Sequence, residues 1–274
     1  MPKPCAAIWR SSARIQIGII VRVTAFYTTF RVLLWALAAT LIVLLLKSIT
    51  IHFALRPIDL GSLHSAIVSG ATFVIGFLLS ATIADYKESE RIPSDFATQI
   101  EDMYIDGKAI HESYPTFDLN GFRKQLQKAA RGFTKDVRTR AYDSRKDIHG
   151  LSAYFSQMEK GKVPPNFVVK LKQQQTALLR ARHRVSYIQR IKFIPSATIL
   201  ARSIVALVII TLLFTNVDGG LVIVGLISFI LIYMLILINV ISTPFHSAGK
   251  TRDDVSLFLV NEVANSLAQD KPKK

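Results

Sequence analysis

The chain has 274 residues, half of them hydrophobic, and carries a formal net charge of +15 at pH 7. Soluble domains rarely combine so much apolar residue with so large a basic excess; a membrane protein with basic water-facing parts does. A single cysteine, Cys5, excludes an internal disulfide and any multi-cysteine metal centre built within one chain.

Residues 1–29 form a basic arm, with Lys3, Arg10, Arg14 and Arg22 and no acid. Residues 30–84 read as a first transmembrane hairpin, with spans at Phe30 to Leu46 and Ser65 to Ala84, because a hydrocarbon core takes ~20 apolar residues per helix. The two spans differ in character. The second, within SAIVSGATFVIGFLLSATIADYKESERIP, holds Ser65, Ser69, Gly70, Thr72, Gly76, Ser80 and Thr82. Ser69, Phe73 and Phe77 fall at i, i+4 and i+8, so a helix stacks one hydroxyl and two aromatic rings on one stripe. Such a stripe suits close packing against another helix or the lining of a pore.

Residues 85–198 hold 21 lysines and arginines against 13 acids and show helical spacing, for example Phe96, Ile100, Met103 and Tyr104, then Phe122, Leu126, Ala129, Phe133 and Val137. At least four amphipathic helices are expected. Ser94 after Pro93 and Asn166 after Pro164-Pro165 read as helix starts, while Pro115, Asn120-Gly121, Gly150 and Gly161 read as breaks. Arg123, Lys124, Lys128, Arg131, Lys135, Arg138 and Arg140 read first as a solvated face, and otherwise as a patch for anionic headgroups or permeant anions. No groove-reading motif accompanies them, so nucleic acid is not an expected partner.

Residues 199–241 form a second hairpin, with spans at Ile199 to Thr215 and Leu221 to Ile241, the last almost uniformly aliphatic. Residues 242–274 end the chain with further lysines. The positive excess on the arm, the middle block and the tail places all three in the cytoplasm, whereas the segments from Lys47 to His64 and Asn216 to Gly220 are nearly neutral. The fold class is therefore all-α: an integral membrane protein with four transmembrane helices and a helical cytoplasmic bundle, placed in the plasma (inner) membrane. A transit-peptide reading of the acid-free arm keeps an organelle membrane as the alternative.

Enzyme signatures are missing. There is no Walker loop, GxGxxG, HExxH or GxSxG. The six histidines are scattered, with no pair at i, i+3 or i+4 to hold a metal from one helix.

Topology and three short segments together resemble the bestrophin family of ion channels. ATFVIGF followed by YKESERIP is similar to that family's neck motif and the charged segment after it. YIQRIKFIP, Tyr187 to Pro195, resembles the entrance to its third span, with Gln189 in place of an acid. STPFHSAGKTRDDVSLFLV, Ser242 to Val260, resembles the Pro-Phe segment and acidic cluster beyond its fourth span.

The resemblance implies a homo-pentameric channel, chloride being the expected ion, with Ser69, Phe73 and Phe77 as the pore neck. It also implies a second, cytoplasmic constriction at Phe167 or Val168. In calcium-gated relatives the acidic cluster clasps calcium, which would fall on Asp253 and Asp254; hard oxygen ligands are what that ion takes. Basic Lys250 and Arg252 beside these acids, and their distance from Pro244-Phe245, speak against calcium control, and the two acids equally suit the start of a helix. The alternative to conduction is a non-conducting bestrophin-like adaptor that binds a partner or anionic lipid through its cytoplasmic helices.

Overall fold

A computed structural model describes residues 30–55, 58–59, 62–190, 195–216, 220–245 and 254–270. The fold is helical. Helix α1 runs over Phe30–His52 and α2 over Ser62–Ser113. They are followed by α3 (Leu119–Thr139), α4 (Ser144–His149), α5 (Ser152–Lys160) and α6 (Pro165–Arg190). Then come α7 (Pro195–Phe214), α8 (Gly220–Ile241) and α9 (Phe258–Gln269). Two-residue strands β1 (Ile58–Asp59) and β2 (Thr215–Asn216) pair in parallel. β1 lies in the connection between the first two spans, and β2 begins at Thr215, where the sequence placed the end of the third span.

The chain divides into two compact units. The first contains the described residues up to Ala81 together with Pro195–Val240. Four helices in the chain, α1, the first part of α2, α7 and α8, are long and apolar enough to cross a membrane. Their shared core is built from Ala36 and Val43 of α1, Ala71 and Ile75 of α2, Val205, Val208 and Leu212 of α7, and Val224 and Leu231 of α8. Approach is close where α8 meets α1: a Cβ on Gly225 would come within 3.3 Å of the Leu44 side chain. Several hydroxyls along these helices return to their own backbone, as Thr40 Oγ1 does to the Ala36 carbonyl at 2.8 Å and Thr72 Oγ1 to the Val68 carbonyl at 2.9 Å, and so meet hydrocarbon with their donor satisfied.

Lys47 is the notable exception to an apolar interior. It is 2 % exposed, and its Nζ donates to the carbonyls of Leu212 at 2.9 Å, Leu213 at 3.1 Å and Thr215 at 2.5 Å. These are carbonyls that the end of α7 leaves without intrahelical donors, at the negative end of its dipole. Thr50 Oγ1 adds a further donor to Leu213 at 3.0 Å. A sequence reading that closes the first span at Leu46 puts Lys47 in a loop; α1 instead continues for a turn and a half and takes the lysine inside.

The second unit contains Thr82–Ile194, except for residues outside the described set, with the segment around Pro244 and the chain from Asp254 onward. Its core joins Phe96, Ile100 and Met103 of α2 to Phe122, Leu126 and Phe133 of α3, with α6 and α9 closing it through Leu171, Leu178, Val260 and Leu267. Phe96 and Phe133 stack at 4.0 Å between centroids.

Three local expectations need correction. Helix α2 passes through Pro93 without a break, so Ser94 starts no helix. The missing N–H of Pro93 removes one backbone bond, and buried Ile92, Phe96 and Ala97 on either side hold the helix together. Asn120-Gly121 lies inside the first turn of α3, capped by Asp118, whose carboxylate accepts from the Gly121 amide at 2.9 Å. Arg123 is not part of a solvated face; it is buried and donates to the Leu267 carbonyl of α9.

A buried ion pair fixes α6 against the α3–α4 connection. Arg182 and Asp136 side chains are 1 % and 0 % exposed and meet at 3.0 Å. Asp136 also accepts from the Ser144 hydroxyl at 2.6 Å, the Ser144 amide at 2.8 Å and the Asp143 amide at 3.1 Å. Burial acts to raise the Asp136 carboxyl, but these hydrogen bonds outweigh it and hold the group below its ordinary value. A carboxyl depressed on folding stabilises above its unfolded pKa, about 3.9, and loses that contribution as pH falls through the folded value. Thermal melts should therefore show the second unit weakening as pH drops below about 4, and Asp136→Asn, which strands a buried guanidinium, should cost about 3–5 kcal/mol at neutral pH and flatten that acid limb. Lys47→Met, which keeps the alkyl bulk and removes the donor, should lower the melting temperature in detergent by taking a donor from the Leu212 and Thr215 carbonyls, each worth about 1–3 kcal/mol, while Leu213 keeps that of Thr50.

Candidate functional site

The first part of α2 buries one face and leaves the other open. Ala71 and Ile75 point into the core of the first unit, and the helical period of 3.6 then turns Ser69, Phe73 and Phe77 away from it. Phe73 is 76 % exposed and Phe77 68 %. The three residues proposed from the sequence thus share one open stripe.

The rest of that face is small. Between residues 65 and 84 the exposed positions are Ser65, Ala66, Ile67, Ser69, Gly70, Thr72, Phe73, Phe77, Ser80, Ala81 and Ala84, with Ile67 at the edge. No charged side chain occurs among them. The open faces of the other three apolar helices are of a different kind: Leu34, Leu41 and Leu45 on α1, Ile199, Leu207 and Ile210 on α7, Leu221, Val222 and Leu226 on α8. Branched aliphatics are what lipid chains require; hydroxyls, glycines and two aromatic rings suit a protein or water-filled surrounding. Thr72 keeps its hydroxyl satisfied on the Val68 carbonyl at 2.9 Å.

The structure separates Phe167 from Val168. Both lie in the first turn of α6, but Val168 is 3 % exposed and belongs to the core of the second unit, whereas Phe167 is 44 % exposed. Only Phe167 has a side chain that can border an open space, so Val168 is a packing residue.

Asp253 lies outside the described residues. Asp254 sits half-buried at a bend, and the next amide, of Val255, donates to the Pro244 carbonyl at 2.9 Å. Helix α9 begins at Phe258 with Leu257 as its cap and no acid in its first turn, so Asp254 does not start it. Among the described residues no group of three or more His, Cys, Asp or Glu could hold a metal ion. The described residues do not make the oxygen cage that calcium takes. Gln189, where the resembled segment has an acid, donates to the Val137 carbonyl at 2.7 Å. Arg202, about two turns into α7, reaches Asn239 of α8 at 3.2 Å. Sequence reasoning missed both partners, since neither lies near its residue in the chain.

An apolar four-helix unit whose α2 turns small and aromatic groups outward, with a separate helical bundle, defines a polytopic helical membrane protein. No model of a known protein family matches the sequence, and no curated protein does. Solved structures do match. A bestrophin homologue from Klebsiella pneumoniae superposes with a TM-score of 0.72 at 12 % identity, covering 86 % of this chain and 97 % of its own. A second variant of that homologue gives 0.72 at 11 % identity over 88 % and 99 %. A crystal structure of a membrane protein gives 0.71 at 14 % identity over 84 % and 96 %. The fold is bestrophin-like.

Single cysteines placed in a Cys5→Ser background report which face of α2 meets water. In liposomes, Ser69→Cys and Phe73→Cys should react with a membrane-impermeant thiol reagent while Ala71→Cys and Ile75→Cys stay protected. Equal protection of all four would remove the stripe from any aqueous path.

Proposed function

We propose that the protein is a subunit of a bestrophin-like anion channel, with chloride the expected ion, assembled as a homo-pentamer. Its termini and second unit are cytoplasmic, as the positive excess on those segments suggests. The observation that carries this reading is the open face of α2, which joins hydroxyls, small residues and two aromatic rings where the open faces of the other apolar helices are mostly aliphatic.

Around a five-fold axis, Ser69, Phe73 and Phe77 of each copy would form successive rings. Two rings of phenylalanine narrow a path and strip water from it, and a dewetted constriction stops ions without any charge. Rotation of the rings away from the axis readmits water. The neck carries no charged side chain, so ion sign would be set by weaker fields: the positive end of the α2 dipole beside Ser65, and the positive edge of each aromatic ring. Phe167 is assigned to the second constriction of the same reading. No residue is assigned a catalytic role.

The adaptor reading draws on a separate observation, the exposed Ile105, Tyr187 and Phe258 of the second unit, which suit protein contacts. Electrical recording decides between them. Purified protein in planar bilayers with asymmetric potassium chloride should conduct with a reversal potential displaced toward the chloride equilibrium, and native mass measurement should show a closed ring of five. Phe73→Ala combined with Phe77→Ala should raise the open fraction and leak. A silent bilayer, a monomer, or unchanged flux in a conducting double variant would each count against the channel.

A further inference from the structure

Residues 137–146, at the end of α3 and the start of α4, and residues 180–192, at the end of α6, carry nine lysines and arginines against one acid, Asp143. The fold ties these two segments together within the second unit. Gln189 of α6 donates to the Val137 carbonyl at 2.7 Å, Arg182 Nη2 donates to the Ala141 carbonyl at 2.5 Å, and the Tyr142 hydroxyl lies 2.6 Å from His183 Nδ1. The guanidiniums of Arg182 and Arg190 stand over the Tyr142 ring, 4.4 Å and 5.7 Å from its centroid.

Part of this charge is used inside the protein. Arg182 is buried on Asp136, and Arg184 pairs with Glu88 at 2.7 Å. Arg138, Arg140 and Arg190 are exposed and take part in no ion pair among those of the described residues. Arg182 itself keeps Nη1 buried without an acceptor, so the pair with Asp136 leaves an unmet donor in the cluster. Like charges gathered in this way repel one another, and the bonds between the segments hold them in place. What the arrangement lacks is an anion, and the planar fork of a guanidinium matches phosphate oxygens.

Two observations point to a phosphate carried by lipid. Arg190 stands five residues before Pro195, the first residue of α7, a helix long and apolar enough to cross a membrane. Five residues of chain span at most about 18 Å, so the covalent connection alone keeps the cluster close to the headgroup layer, where basic side chains are drawn to anionic lipid. Tyr187, three residues before Arg190 on the same side of α6, is 54 % exposed, and a ring with an apolar body and a polar tip suits that layer.

We propose that Arg138, Arg140 and Arg190 bind the phosphate of an anionic phospholipid in the leaflet that α7 enters, with the Tyr187 ring beside it. The site is separate from the α2 stripe and depends neither on conduction nor on the number of copies assembled.

The test is native mass spectrometry of the full chain, delipidated in detergent and titrated with lipid. Phosphatidylglycerol should be retained saturably, and phosphatidylcholine, whose phosphate carries its own cation, much less. Glycerol phosphate, the head without the tails, should not displace phosphatidylglycerol at equal concentration. These arms are read on the native chain and need no variant. Arg138→Gln, Arg140→Gln and Arg190→Gln together should weaken phosphatidylglycerol at least about tenfold, as the loss of three cations beside an anionic headgroup implies, and should melt as the native chain does in lipid-free detergent. Lys124→Gln, Arg131→Gln and Lys160→Gln together remove the same charge from exposed positions elsewhere and should leave retention unchanged. Equal retention of the two lipids, displacement by glycerol phosphate, or equal weakening by the two triple variants overturns the proposal.

Discussion

The ammonium of Lys47 is the interaction on which the first unit depends. In hydrocarbon every backbone carbonyl must find a donor within the protein, and the end of a helix is where donors run out. Lys47 carries its donors from α1 to the last turn of α7, and β1 pairs with β2 beside it, Ile58 with Thr215 and Asp59 with Asn216. The two hairpins are thereby joined at their connections as well as along their apolar sides. With α1, α7 and α8 so placed, only the Ala71–Ile75 face of α2 has anything to pack against. The opposite face is open as a geometric consequence, and its composition decides what it can do.

Hydropathy alone made the four spans and the all-α class legible, because runs of about 20 apolar residues have few other uses. What it could not show were long-range partners. A hydropathy scale counts Lys47 as a charge to be kept in water; the three carbonyls that accept it lie about 165 residues away in the chain. Pro93 and Arg123 mislead for the same reason. Each is an unfavourable residue by local rules, and each is held by packing or a bond supplied from another element.

The stripe of Ser69, Phe73 and Phe77 was readable as a stripe, since a spacing of four fixes neighbours on a helix whatever surrounds it. Its direction was not readable, because either face of α2 has apolar residues enough to be buried. Phe167 and Val168 make the same point at one-residue resolution. Adjacent positions on a helix diverge by about 100°, so a sequence match uncertain by one residue cannot say which of them faces a core. A cavity between α2 and α9 was invisible for a different reason: Glu101 and Tyr104 stand on α2 and Glu262 on α9, and nothing in either segment announces the other.

The neighbours of Phe73 bear on how the proposed aromatic constriction would move. Gly70 on the open face and the partly exposed Gly76 stand three residues to either side of it, and nothing lies within 4 Å of where a Cβ would project from either. A glycine inside a helix costs about 1 kcal/mol relative to alanine, a cost that α2 bears twice. In return the ring has vacant space at i±3, so a change of rotamer toward either glycine meets no side chain there. Alanine, serine and threonine elsewhere on the face have few rotamers to reorder. A phenylalanine on a face of branched aliphatics would instead be wedged by them at i±3 and i±4. The surroundings of Phe73 thus suit a ring that, in the proposed channel, would turn in place while the helix keeps its packing through Ala71 and Ile75.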